Sequence, residues 1–413
     1  MDAEIIAVGD EVLLGHIVNS NSSFIARQLS GIGLTVRQHT VVGDSVEAME
    51  EAFRLALKRA KVVIVTGGLG PTDDDLTKRA IVKVFKRNLI LNDHVLETLR
   101  QRFAARGLEL PALSQNQALL PQGATFFPNK LGSAVGICIA EQGRVFIALP
   151  GVPVEMQQIM TDEVVPYLAS LNIGQALSAI TIRTTGIGES NLSELIKPNL
   201  RLEPGVKLAY LPHYGVVDLR VVATGQTKAE SDQKAEKLAR YLEKTVGNHV
   251  FGRGDDSLAA VVGRLLKDND KTLAVAESCT AGQLGMEITD VPGASAYFLG
   301  GLEAYSNDVK LAQLGVPEEV LSEHGAVSEE CALAMATGCR KLFKSDYALS
   351  ITGIAGPDGG TDDKPVGTTY IGLTSAHAAY AKKYRFGLDR RMNRTRAVNA
   401  ALEMLRREIL DIK

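Results

Sequence analysis

The sequence predicts an α/β protein made of three successive domains, and three observations carry that prediction. The chain has 413 residues, more than one hydrophobic core ordinarily organises. Short apolar runs alternate with stretches of helical periodicity in its first and last parts. Breaks rich in Gly, Asn and Asp near 172–174 and 252–256 set off a middle segment of different pattern. The boundaries read from these signals are 1–171, 172–254 and 255–413.

The first segment reads as strand 4–8, a helix from Asn21, strand 35–41, helix 46–59, strand 62–66 and helix 76–84. Continuous apolar strands between amphipathic helices indicate a parallel sheet covered on both faces. A hairpin of strands 136–140 and 145–149 turns at Gln142-Gly143, and a helix follows Pro153. The middle segment reads strand 179–184, helix 190–200, strands 207–211 and 217–223 around Tyr214-Gly215, then helix 228–246, a small α+β unit. The last segment opens with helix 258–266 and strand 272–276. It continues through strands 302–306 and 347–351 and long helices at 329–342 and 394–412, giving a second α/β domain.

Composition narrows the class. Hydrophobic residues at 45% and charged residues at 23% are ordinary for a globular protein. No apolar stretch is long enough to span a bilayer. The N-terminal MDAEIIAVGD has no basic region ahead of its apolar run, so it reads as a strand rather than a signal peptide, and the cytoplasm is the expected location. Lys and Arg total 45 against 48 Asp and Glu, a formal charge of −3, which gives no electrostatic reason to expect nucleic acid as a partner. Cys138, Cys279, Cys331 and Cys339 have no CxxC spacing and read as free thiols. The seven histidines are scattered, without the spacing of a zinc site.

Residues 66–75, TGGLGPTDDD, lie between a strand and a helix, where open α/β sheets place ligands. Gly67, Gly68 and Gly70 permit close backbone approach to a phosphate, and the following helix would add partial positive charge. Asp73, Asp74 and Asp75 exceed what capping needs. Together with a phosphate they call for a divalent cation, Mg²⁺ or a similar ion; the alternative is a capped turn with solvated acids. Asp10 and Glu11, in the turn GDEVLLG after the first strand, would join the same site if those strands are neighbours. Otherwise that turn is plain surface. Asn129-Lys130-Leu131-Gly132 is a turn signal in which Lys130 is a candidate phosphate partner, and Glu155 is a polar neighbour of the same region.

Residues 272–282, TLAVAESCTAG, run from an apolar strand through a tight turn of small residues into a helix. This is the general layout of a nucleophile elbow, although the GxSxG pattern is absent. Ser278 would sit at the strand end near free helix N–H groups, which can stabilise an oxyanion. Lacking a histidine in an equivalent turn, its base would be a lysine whose pKa is lowered by burial. LEAYSNDVK at 302–310 supplies one: after a strand ending at Ser306, Asn307 or Asp308 caps a helix and Lys310 lies in its first turn, with Tyr305 placed to relay or orient the proton. Without those roles, Ser278 is a helix cap, Tyr305 core and Lys310 solvated. Cys279 is the rival nucleophile, or else a small buried residue. The loop 352–367, TGIAGPDGGTDDKPVG, offers backbone N–H groups for a phosphate or carboxamide, or is a flexible connection. Arg390 and Arg394 open the last helix, where cations are disfavoured, so they point either to a ligand anion or to a salt bridge.

Six motifs occur in order: GDEVLLGHIVNSN at 9–21, TGGLGPTDDDLTK at 66–78, LPGVPVEM at 149–156, AESCTAG at 276–282, YSNDVK at 305–310 and GIAGPDGGTDDKPVGT at 353–368. With them the chain resembles the competence/damage-inducible (CinA) family over essentially its whole length. The resemblance implies a three-layer first domain like molybdopterin-binding proteins, associated in this family with metal-dependent ADP-ribose hydrolysis. It implies a KH-type α+β middle domain and a last α/β domain similar to serine–lysine amidohydrolases that convert nicotinamide mononucleotide to nicotinic acid mononucleotide and ammonia. On that implication Ser278, Tyr305 and Lys310 are catalytic. Cys279, Thr280, Gly353, Gly356 and Arg394 bind substrate in the last domain, and Gly67, Gly68, Gly70, Thr72 and Lys130 in the first. Asp10, Asp73 and Asp74 hold Mg²⁺ or Co²⁺. The deamidase needs no cofactor, and the assembly is a homodimer. A binding protein, or an interaction protein of DNA uptake or repair, without catalysis in the first domain is the competing expectation. KH domains grip nucleic acid with a GXXG loop, and the segment 200–207 has only Gly205. The sequence departs from the family pattern at Ala281, usually Gly, and at Asp10, usually Thr.

Overall fold

Strands buried on both faces form the centre of the first domain. In the computed structural model, which describes residues 2–72, 75–171, 173–174 and 176–412, a six-stranded sheet runs in the order Thr35–Val42, Asp2–Val8, Val62–Thr66, Arg144–Leu149, Gly136–Glu141, Thr125–Phe127. The first four strands are parallel and the last two antiparallel. Alternation along the strands sends Ile5, Ile64 and Ile147 to one face, with Ile25, Leu29 and Met156, and Ile6, Val63 and Phe146 to the other, with Met49, Phe53 and Ile81. Two filled faces make three layers. Strands Asp2–Val8 and Val62–Thr66 are neighbours, which brings their two following turns together at the sheet's carboxyl edge.

The chain divides into two compact units, residues 1–178 with 223–233 and residues 179–222 with 234–413. The middle segment therefore does not separate as one body. Its four-stranded sheet has the order Val206–Pro212, Val216–Gly225, Ala176–Thr185, Val250–Arg253. The last of these strands was not expected. Its Gly252 and Arg253 read as a break, yet Val250–Arg253 pairs antiparallel with Ile182–Thr184. The helix expected over 228–246 spans Lys228–Val246.

In the second unit a five-stranded sheet has the order Phe298–Glu303, Leu273–Glu277, Tyr347–Gly353, Thr368–Thr374, Ala379–Arg385, three parallel strands followed by two antiparallel ones. Ala274, Ala276 and Ala348 are small, and Gly372 has no room for a Cβ, which would meet the Ala332 carbonyl at 2.5 Å. Helix Glu329–Phe343 packs closely on that face. Leu273, Val275, Leu349 and Ile351 point to the other face, under helices Leu258–Asp268 and Arg390–Ile409. The strand expected at 302–306 is Phe298–Glu303 instead, and the cap of the next helix is Ser306, not Asn307 or Asp308. Its hydroxyl accepts from the Val309 N–H, the ordinary Ncap geometry. None of the described helices is long and apolar enough to cross a membrane.

Candidate active site

The second unit gathers Ser278 and Lys310 at the carboxyl ends of two neighbouring parallel strands. Ser278 follows strand Leu273–Glu277, all buried, and its N–H donates to the Ile351 carbonyl at 2.9 Å. Buried Glu277 accepts from the N–H groups of Leu284 and Gly285 at 3.0 and 2.8 Å, so the strand end caps helix Gln283–Thr289 and fixes both ends of the intervening loop. Within that loop Ala281 has φ 47° and Gly282 φ 82°. Ala281 is therefore a side-chain-bearing residue in left-handed backbone, a conformation costing about 1–2 kcal/mol. Replacing it with glycine relieves that cost but loosens the unfolded chain, so Ala281→Gly is expected to stabilise the protein by about 0.5–1 kcal/mol and raise the melting temperature by roughly 1–3 °C. Differential scanning calorimetry checks this.

Lys310 lies in helix Asn307–Leu314 and is 1% exposed. Helical side chains lean toward the N-terminus, and this one reaches back to the Ala304 carbonyl at 2.8 Å, the Tyr305 carbonyl at 3.0 Å and Ser278 Oγ at 3.3 Å. Ala304 is itself tied to the strand that leads into Ser278 by its N–H on the Glu277 carbonyl. Among the described residues no carboxylate pairs with Lys310, and burial pushes its amine below the ordinary value of 10.5. A neutral amine has two hydrogens and one lone pair. With two hydrogens held by the carbonyls, a neutral Lys310 would turn its lone pair to Ser278 Oγ, which the charged amine reaches as a donor.

The expected relay through Tyr305 is not what the side chains make. Tyr305 is 64% exposed, and it meets Lys310 only through its backbone carbonyl. Lysine and serine touch directly. Cys279 is buried, and burial raises its thiol to about 12, a poor nucleophile at neutral pH. The N–H groups of Cys279 and Thr280 are taken by no carbonyl among the described residues. Gly353 ends strand Tyr347–Gly353, so the loop carrying Gly356 leaves the sheet beside the serine's strand. Arg394 donates to the Thr280 carbonyl at 2.6 Å and Arg390 to the Gly356 carbonyl at 2.9 Å.

In the first unit the glycine turns meet at a cavity of about 360 Å³ on the carboxyl edge of the sheet. Gly67, Gly68 and Gly70 line it. Their lack of a side chain first serves the chain itself. A Cβ on Gly67 would lie 2.2 Å from the Val8 carbonyl oxygen, and one on Gly68 2.3 Å from Thr77 Oγ1. Four carboxylates line the cavity, Glu11, Asp44, Asp75 and Glu155, and no cationic side chain does among the described residues. Asp75 is occupied by the Gly70 and Thr72 N–H groups and the Thr72 hydroxyl. Thr72 thus serves its own turn and does not line the cavity. Asp10 does not line it either; its carboxylate accepts from the Asp44 N–H at 3.2 Å. Lys130 is exposed and paired with Asp162 at 2.7 Å, away from the cavity lining. Asp73 and Asp74 lie outside the described residues. Sequence reasoning passed over Asp44 and Lys78. The latter donates to the Asn116 and Gln117 carbonyls, and burial lowers it to about 8. Only its position in the same loop–helix motif could have flagged it.

Fold and site define a multidomain α/β protein with a glycine-lined acidic cavity in one unit and a buried serine–lysine pair in the other. The domain families match in the same order: residues 4–170 match the "Probable molybdopterin binding domain", 180–252 the "Damage-inducible protein CinA KH domain" and 255–409 the "CinA C-terminal domain". The CinA-like protein of Dictyoglomus thermophilum is 40% identical over 412 residues, covering 100% of both chains, and that of Nostoc punctiforme is 42% identical over 415, covering 99% of this chain and 100% of its own. The crystal structure of the protein CinA with unknown function from Thermoplasma acidophilum is 34% identical, covers 39% of this chain and 94% of its own, and superposes with a TM-score of 0.37. The chain belongs to the CinA family of competence/damage-inducible proteins.

Proposed function

We propose that the C-terminal domain is an amidohydrolase that removes the carboxamide nitrogen of nicotinamide mononucleotide, with Ser278 as nucleophile and Lys310 as base. The observation that carries this reading is the buried lysine, without a carboxylate partner among the described residues, 3.3 Å from a serine hydroxyl. Lys310 takes the hydroxyl proton as Ser278 Oγ attacks the carboxamide carbon. The N–H groups of Cys279 and Thr280 meet the oxyanion. Lys310 then returns the proton to the departing nitrogen, which leaves as ammonia. Water attacks the resulting ester with Lys310 again accepting a proton, and the carboxylate product departs with Ser278 restored. The pyridinium charge of this substrate withdraws electrons from the carboxamide and favours attack. The test is ammonia release from nicotinamide mononucleotide by the purified chain in chelator-treated buffer. Release is expected without added metal; no release at any substrate concentration contradicts the reading.

A second activity is favoured by the acidic cavity of the first unit. Four carboxylates with no cation repel a phosphate unless a divalent ion intervenes. The donors are hard oxygens suited to Mg²⁺ or Co²⁺. Among the described residues no three of them gather closely enough to hold the ion alone, and the sequence adds two further carboxylates, Asp73 and Asp74, next to Asp75. The ion supplies charge neutralisation at a pyrophosphate, and the backbone of Gly67, Gly68 and Gly70 is open to its oxygens. We infer hydrolysis of ADP-ribose here. Cleavage is expected to vanish with chelator and in Asp74→Ala while ammonia release from the other domain persists. Metal-independent cleavage contradicts it.

A further inference from the structure

Arginines at the start of a helix oppose its dipole, and the last helix begins with Arg390, Arg391 and Arg394. Where these side chains go explains the placement. Arg394 Nη2 donates to the Thr280 carbonyl at 2.6 Å, in the loop carrying Ser278. Arg390 Nη1 donates to the Gly356 carbonyl at 2.9 Å, in the adjoining loop. Between them Asn393, 2% exposed, donates through one Nδ2 to the Ala355 carbonyl at 3.0 Å and the Gly387 carbonyl at 2.9 Å. Both loops that border the serine are therefore tied by their carbonyls to one helical turn. The far end of the same helix is anchored by Arg406, buried against Glu403 and donating to the Asn248 carbonyl, so the turn has a fixed base.

Resting on the amidase reading above, we propose that Arg394 is a positioning residue, which holds the Ser278 loop through Thr280, rather than a ligand of the substrate's phosphate. Guanidinium groups recognise phosphate with the Nε/Nη fork. Arg394 Nη2, one arm of that fork, is already committed to the Thr280 carbonyl at 2.6 Å. The carbonyl it holds belongs to the peptide that enters Ala281, where the backbone turns left-handed. Strained backbone persists only where its surroundings impose it, and the Arg394 contact is one such restraint. It keeps Ser278 Oγ opposite Lys310.

The test uses the full-length protein and two readouts: steady-state ammonia release from nicotinamide mononucleotide, and labelling of Ser278 by a fluorophosphonate, followed by peptide mass spectrometry. Arg394→Ala is expected to lower kcat about ten- to hundredfold with KM within about threefold, as for a misplaced reacting group. Labelling should slow in parallel, and Arg394→Lys should recover part of both rates. A tenfold rise in KM with kcat and labelling unchanged would overturn the proposal and make Arg394 a phosphate ligand. If Arg394→Ala does not fold, Arg394→Lys carries the same split, with kcat and labelling expected to fall and KM to hold. If the wild-type protein labels at Ser278 but releases no ammonia, the substrate assignment fails on its own. Labelling then decides the positioning role, slower in Arg394→Ala in its favour and unchanged against it.

Discussion

Lys310→Arg is expected to lower ammonia release from nicotinamide mononucleotide by about 10²–10⁴-fold, the usual contribution of a positioned general base. Arginine keeps the positive charge and hydrogen-bond donors but stays protonated throughout the accessible pH range. Lys310→Met, close in size and without an amine, is expected to lose at least as much. The wild-type pH profile follows from the same chemistry. Burial lowers the Lys310 pKa below 10.5, and the base works only when neutral, so kcat rises with pH through a midpoint below 10.5 and falls as acid protonates the amine. The stability sign agrees. A lysine whose pKa is lowered by folding costs nothing above the unfolded value of 10.5 and destabilises the native state as pH falls through the folded value. In Lys310→Met that part of the pH dependence of unfolding is expected to disappear. Steady-state rates and denaturant melts across pH check both.

The layout of this site was partly legible in the sequence. A buried strand, a turn of small residues and a helix placed Ser278 at a strand end, because strand burial and turn composition are local properties. Lys310 was legible as first-turn helix. Its burial and its direct contact with the serine depend on the neighbouring strand ending at Glu303 and on Ala304 folding back onto Glu277, both tertiary facts. The same shift explains Tyr305. With the strand read as 302–306 its side chain faced the crevice, whereas beyond the true strand end it points to solvent. Arg394 read as an anion ligand because a cation at a helix start is locally unfavourable, and what offsets it, the Thr280 carbonyl, lies 114 residues away. In the first unit the glycines were found for their backbone freedom. Glu11 lines the cavity as the turn after the first strand suggested, whereas Asp44 comes from the turn after strand Thr35–Val42, whose place beside Asp2–Val8 sequence order does not display. The six-stranded order of that domain followed the parallel pattern expected for continuous apolar strands, and the short strand Val250–Arg253 escaped because glycine and arginine carry little strand signal.

The largest loss is expected from removing the Ser278 hydroxyl. Without an oxygen at residue 278 no acyl intermediate forms, and only the remaining binding and oxyanion contacts act on water, so Ser278→Ala should reduce ammonia release by about 10⁴-fold or more. That corresponds to at least about 5 kcal/mol of barrier. The neighbouring thiol does not substitute for it, since burial holds Cys279 near 12. The direct test is ammonia release from nicotinamide mononucleotide by wild type, Ser278→Ala and Cys279→Ala in parallel. Release abolished in Ser278→Ala and retained within about threefold in Cys279→Ala is the predicted result. Release that survives in Ser278→Ala and disappears in Cys279→Ala would contradict the serine–lysine account.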